Sequence, residues 1–197
     1  MNDNTFKNPK LALRKLVAGN NLYVNAKHNP ADISRERRNE TAQNDQTPYA
    51  AVIACSDSRV PPEHIFSAGI GDLFVVRTAG NTVGDFELGS IEFAVKFLHV
   101  PVVVIMGHNR CAAVETALTG GTEGYMNTII HEIRLGLGGA VTKSEAVYNN
   151  ILHSKQRVLQ SKLVNLMIDA KQLMVVCAEY DMQTGNVNFF DIDEQHF

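Results

Sequence analysis

Ala50-Ala-Val-Ile-Ala-Cys55 is an unbroken apolar run that ends on a cysteine, and the reading of the whole chain turns on it. A continuous rather than alternating apolar pattern suits a strand covered on both faces, as in a parallel sheet flanked by helices. Leu73-Phe-Val-Val-Arg77, Val102-Val-Val-Ile-Met106 and Leu173-Met-Val-Val-Cys-Ala178 repeat the pattern further along. Between the second and third runs, Leu88, Ile91, Val95 and Leu98 fall three or four residues apart, the spacing of a helix packed on a sheet. A further helix is expected just after Asn109, and the region from Met126 to Met167 reads as mostly helical, interrupted at Gly136, Gly138 and Gly139. Val187-Asn-Phe-Phe190 follows the Gln183-Thr-Gly-Asn186 turn and is expected to close an antiparallel edge hairpin. The pattern therefore predicts an α/β fold: a mostly parallel central sheet of about four strands plus an antiparallel C-terminal edge strand, flanked by helices.

Upstream of the first run, Leu13, Leu16 and Val17 mark an amphipathic helix over about residues 10–26. The polar stretch from His28 to Thr47, with Arg35, Arg37 and Arg38 among Glu36 and Glu40, reads as a solvated helix or loop. Residues 1–48 are thus expected to form an N-terminal helical arm and 49–197 an α/β domain, within one domain overall. At 197 residues and 45% apolar content the chain is long enough for one sizeable core. The 18 basic against 21 acidic side chains, net −3, argue against a nucleic-acid binder. No apolar run is long enough to cross a bilayer, and the polar N-terminus has no apolar signal core, so a cytoplasmic protein is expected. Three cysteines make no disulfide framework and point instead to thiols or metal ligands.

Two of those cysteines occupy comparable places. Cys55 closes the first apolar run, within Cys55-Ser-Asp-Ser-Arg59, and Cys111 lies five residues beyond the third, within Gly107-His-Asn-Arg-Cys111. Open α/β sheets gather ligands at the carboxyl ends of their strands, so both loops are expected to face one crevice. His108 and Cys111 are three apart and, near a helix start, would point the same way. One imidazole and two thiolates suit zinc, one ion per chain, and three protein ligands leave a fourth tetrahedral position open, as in catalytic sites. Two thiolates neutralise the ion and make it a weaker Lewis acid than three histidines would, so a neighbouring hydrogen-bond acceptor makes chemical sense. Asp57 and Arg59 are placed to supply one, with Arg59 keeping Asp57 ionised, although a plain surface ion pair would give the same spacing.

Other uses of these cysteines fit less well. A phosphatase loop places five residues between Cys and Arg, whereas only three separate Cys55 from Arg59, and no C-x-x-C redox motif occurs. A Cys55–His108 nucleophile–base pair is possible but leaves Cys111 without a role. Cys177 sits inside the fourth apolar run and reads as a core thiol.

Cys55-Ser-Asp-Ser-Arg-Val-Pro-Pro-Glu63, Gly71-Asp-Leu-Phe-Val-Val-Arg77, Ala79-Gly-Asn81, Gly89-Ser-Ile-Glu-Phe-Ala-Val95 and Gly107-His-x-x-Cys111 together resemble the β-class carbonic anhydrases, over about residues 10–190. The resemblance implies a zinc-dependent, reversible hydration of carbon dioxide to bicarbonate and a proton. It implies Cys55, His108 and Cys111 as ligands and Asp57–Arg59 as the catalytic dyad. It further implies Gln46 as a hydrogen-bond donor to substrate, Phe74 and Phe93 as walls of an apolar pocket, and Gly80 and Asn81 beside the cleft. For both phenylalanines ordinary core packing is the alternative, and for Gly80 and Asn81 a structural turn. A homodimer, or a dimer-of-dimers tetramer, is implied as the assembly, with the cleft at a subunit interface.

The sequence departs from the family pattern at Ala112 and Ala113, where glycine usually follows the second cysteine; an extra methyl there would narrow the cleft or shift the helix start. It also lacks tryptophan, which the bicarbonate-inhibited subclass uses in its regulatory site, so the accessible-site subclass is expected. His28, His64, His99, His131, His153 and His196 are candidates for proton relay, each equally explained by surface or core placement. Two other functions share these motifs: hydrolysis of carbonyl sulfide or carbon disulfide, and a non-catalytic zinc-stabilised binding protein whose site Asp57 closes.

Overall fold

The computed structural model describes residues 7–192. Its sheet is built from β1 (Ala50–Cys55), β2 (Leu73–Thr78), β3 (Val102–His108), β4 (Met174–Tyr180) and β5 (Val187–Phe190), in the order β2-β1-β3-β4-β5. The first four strands are parallel, and β5 pairs antiparallel with β4 to form the edge hairpin. Every residue of β1 and β3 is buried, because helices cover both faces of these central strands.

Side-chain alternation divides the core into two layers. Ala51, Ile53, Val103, Ile105, Val175 and Cys177 point to one face, where α4 (Asp85–Phe97), α5 (Ala112–Thr119), α6 (Met126–Gly136), α7 (Lys143–Val158) and α8 (Lys162–Asp169) supply the covering residues. Ala50, Val52, Val102, Val104 and Val176 point to the other, against Ala12 and Leu16 of α1 (Pro9–Asn25) and Ile65 and Phe66 at the end of the short α3 (Pro62–Ile65). The Asn8 side chain caps α1 by accepting from the backbone N–H of Lys10 and Leu11, and Pro9 opens the helix where no N–H is needed. From α1, buried Asn20 donates to the Gly185 carbonyl and accepts from Val187 N–H, tying the arm to the β4–β5 hairpin. By contrast α2 (Arg35–Asn44) buries none of its residues, so the polar stretch is a solvated helix.

The parallel register sets β1, β3 and β4 with their carboxyl ends together, so Cys55, His108 and Tyr180 close the sheet along one edge. The structure corrects one expectation here. The third strand runs on past its apolar residues to His108, so that residue ends a strand, and the helix begins only after Cys111.

Candidate metal centre

Cys55 is the last residue of β1, His108 the last of β3, and Cys111 the N-cap of α5. Arg110, between the last two, takes a left-handed conformation (φ 54°) that turns the chain sharply enough to bring Cys111 back over the strand end. Among the described residues these three are the group whose donor atoms converge: all lie within 4.8 Å of one another, and all three residues are buried. The two Sγ atoms are 3.9 Å apart. Two thiolates about 2.3 Å from a shared tetrahedral zinc would be about 3.8 Å apart, so the spacing fits the ion.

The imidazole is prepared for the same role. His108 Nδ1 lies 2.8 Å from the Asn109 carbonyl, which fixes the proton on that nitrogen and leaves Nε2 as the free donor. Nε2 is buried and has no hydrogen-bond partner, a costly arrangement that a metal relieves. Cys55 Sγ accepts from the backbone N–H of Asp57 at 3.4 Å and of Gly80 at 3.3 Å. The hydrogen bond from Cys111 first, then those from the Asp57 and Gly80 N–H groups, lower the Cys55 thiol against the cost of burial. The bond to Cys55, followed by burial, pushes Cys111 well up. Two thiolates this close need a cation between them, and the donor set fits zinc.

Beside the cluster, Asp57 and Arg59 form a two-pronged pair. Arg59 Nε donates to Oδ1 at 2.9 Å and Nη2 to Oδ2 at 2.7 Å, and the Arg59 backbone N–H adds a third bond to Oδ1 at 2.9 Å. The Arg59 side chain is the main reason the Asp57 carboxyl is held far below the usual carboxylate range. Both carboxylate oxygens are thus engaged by Arg59, and Asp57 stays outside the metal cluster. This geometry does not support the closed site in which Asp57 is a fourth ligand.

The carbonic anhydrase family model matches residues 50–187. "Carbonic anhydrase 2" of Mycobacterium tuberculosis is 32% identical over 189 residues, covering 90% of this chain and 91% of the relative. The chain belongs to the β-carbonic anhydrase family. Carbonic anhydrase of Mycolicibacterium smegmatis is 44% identical over 117 residues, 59% of this chain and 56% of that protein. Among solved structures, the β-carbonic anhydrase CafA of Aspergillus fumigatus superposes with a TM-score of 0.68 at 28% identity, over 79% of this chain and 83% of that one. A carbon disulfide hydrolase shares the fold at 15% identity, with a TM-score of 0.54 over 78% of this chain and 86% of that one.

Gly80 reaches the candidate centre, its N–H pointing at Cys55 Sγ from the 3-10 turn Ala79–Asn81. Asn81 is buried in the same turn. Three other expected site residues are not brought to the cluster within their own chain. Phe74 stands in register with Ala51, four residues back from Cys55 and so about 13 Å along the strand. Its ring stacks on Phe93 of α4, with centroids 6.4 Å apart, on the face of edge strand β2 that α4 covers. Gln46 is exposed and lines a cleft of about 1260 Å³ with Arg37, Tyr49, Asp72 and Phe97, where β1 and β2 begin. That cleft is at the opposite end of the sheet from the metal donors, and the donor chemistry marks the centre. Ala112, where the family usually has glycine, is the first residue of α5 and exposed, while Ala113 packs toward Gly80. His153 is paired with Glu132 at 2.9 Å, and His196 lies outside the described residues.

Arg77 had no assigned role in the sequence reading. Its Nε donates to the Cys55 carbonyl at 3.0 Å and its Nη2 to that of Asp57 at 2.6 Å, so β2 clamps the loop that carries Cys55, Asp57 and Arg59. The only signal in the sequence was an arginine closing an otherwise apolar strand.

Proposed function

We propose that this chain catalyses the reversible hydration of carbon dioxide to bicarbonate with zinc held by Cys55, His108 and Cys111. The observation that carries the reading is the cluster itself: two buried sulfurs and an unpartnered imidazole nitrogen converging, with Asp57 held off by Arg59. Zinc held by these three residues would supply the Lewis acidity that activates water as the nucleophile. His108 donates through Nε2, and its Nδ1 proton on the Asn109 carbonyl holds the ring in place. Cys55 and Cys111 bring two negative charges that balance the ion, so the centre is neutral before reaction. Asp57, an acceptor-only carboxylate two residues from Cys55, orients the attacking water and disfavours other anions, and Arg59 keeps it ionised and aimed.

The functional unit is a homodimer. Among the described residues, edge strand β2 pairs only with β1, and beside it Phe93 and Phe97 are 48% and 61% exposed with ring centroids 5.1 Å apart. A second copy covering this apolar face would put Phe74, Phe93 and Gln46 within reach of the partner's metal centre, which they cannot reach in their own chain. Among the described residues no helix is long and apolar enough to cross a membrane. The cysteines are unpaired thiols, which supports placement in the cytoplasm. Stopped-flow hydration assays on zinc-loaded protein test the activity, with sulfide release from carbonyl sulfide measured alongside. Rapid hydration is expected; zinc-loaded protein that releases sulfide and does not hydrate carbon dioxide would replace this substrate with the other.

A further inference from the structure

Helix α7 carries two buried polar side chains whose purpose lies outside the helix. Asn150 and Ser154 are each 1% exposed and stand one turn apart on the same face. Asn150 Nδ2 donates to the Gly80 carbonyl at 2.7 Å and also approaches Asn81 Oδ1 at 3.4 Å. Ser154 Oγ donates to the Asn81 carbonyl at 2.9 Å. The turn they hold is an unusual one, for Gly80 (φ 68°) and Asn81 (φ 48°) are both left-handed. A side chain at Gly80 would come within 2.7 Å of Ile133 Cδ1, so the backbone is confined from that side as well. The product of this confinement is a single N–H, that of Gly80, aimed at Cys55 Sγ.

Packing alone does not explain Asn150. Its Oδ1 is buried without a hydrogen-bond partner, a cost that a leucine of similar size would not carry. We propose that Asn150 is a positioning residue of the metal centre: it acts through the Gly80 carbonyl to fix the Gly80 N–H against Cys55 Sγ, and so sets the donor strength of that sulfur. A thiolate that accepts a fixed N–H shares less charge with the ion, and loss of such an outer bond alters both metal retention and the spectrum of the bound metal. The inference rests on the zinc reading above but not on the identity of the substrate.

The test compares Asn150→Leu with Asn149→Ala, the neighbouring amide, which donates instead to the Leu137 carbonyl at 2.8 Å. Two readouts are independent of turnover: the thiolate-to-cobalt charge-transfer band of the cobalt-substituted protein, and the rate of zinc transfer to a chromophoric chelator. Asn150→Leu is expected to shift the band and change the transfer rate by about ten-fold, while Asn149→Ala leaves both at the wild-type value. Asn150→Ala, which relieves any misfit of the leucine, is expected to act in the same direction and stands in if Asn150→Leu does not fold. A wild-type band and transfer rate in a folded Asn150 variant, or equal changes in Asn149→Ala, would overturn the proposal. Wild-type protein that binds cobalt but fails to hydrate carbon dioxide would instead sink the functional reading and leave this inference standing.

Discussion

Arg77 holds Asp57 by its backbone: the guanidinium Nη2 donates to the Asp57 carbonyl at 2.6 Å while its Nε takes the carbonyl of Cys55 at 3.0 Å. One planar fork thus fixes the separation between Cys55, the proposed metal ligand, and Asp57, the residue proposed to orient the nucleophile. Lysine keeps the charge but cannot donate in this two-pronged geometry. Arg77→Lys is expected to lower kcat/KM by about ten-fold or more with little loss of zinc, read by stopped-flow hydration and metal analysis on the same sample. Unchanged kcat/KM would show that the loop holds itself.

Asp57 gives the clearest pH dependence. Arg59 lowers its pKa in the fold, so the pair stabilises above the ordinary carboxylate value of about 3.9 and loses that stabilisation as pH falls through the lower folded value. The destabilisation caused by Arg59→Gln should therefore be flat from about pH 9 to about pH 5 and shrink only in stronger acid, as urea midpoints would report. Asp57→Asn should keep zinc and lose about 100-fold in rate across that same range, without moving the acid limb of the profile. A limb that shifts in Asp57→Asn would mean that Asp57 itself titrates during turnover.

What the sequence disclosed follows from how each feature is encoded. The strands of the parallel sheet were legible because both faces of β1 and β3 are covered, which leaves unbroken apolar runs such as Ala50–Cys55. The convergence of Cys55, His108 and Cys111 was legible because strand-end loops of an open sheet meet whatever the intervening chain does. Asn150 and Arg77 were not, since their acceptors at Gly80, Cys55 and Asp57 are far away in sequence and a single polar residue leaves no periodic trace. The end of β3 was placed early because Gly107 and His108 are not aliphatic, though the ladder to β4 continues through both. The helical spacing of Leu88, Ile91 and Val95 described the inward face of α4 and passed over Phe93 and Phe97 on the outward one.

Gly107 precedes His108 and lies under α7. A methyl group at this position would come within 2.5 Å of Ile151 Cγ1, a buried side chain with nowhere to go. Gly107→Ala is expected to cost about 1–3 kcal/mol of stability. Combined with Ile151→Ala it should cost less than the two single changes added together, because the second change vacates the contested space. Additive unfolding free energies from denaturant titrations would mean that the two residues do not compete.

The aromatic face beside β2 predicts an assembly. Phe97→Asp puts a charge into the pair it makes with Phe93, where ring centroids are 5.1 Å apart. Sedimentation equilibrium should show wild type as a dimer or larger and the variant shifted to monomer, with hydration activity falling in step. A variant that sediments as wild type does would place the interface elsewhere.

Metal content and hydration rate, measured together on wild type, Cys55→Ser, His108→Ala and Cys111→Ser, bear most directly on the claim that these three side chains hold a catalytic zinc. The account predicts about one zinc per chain in wild type, with each single variant losing the metal and the rate together. Full zinc and wild-type hydration in Cys55→Ser would contradict it.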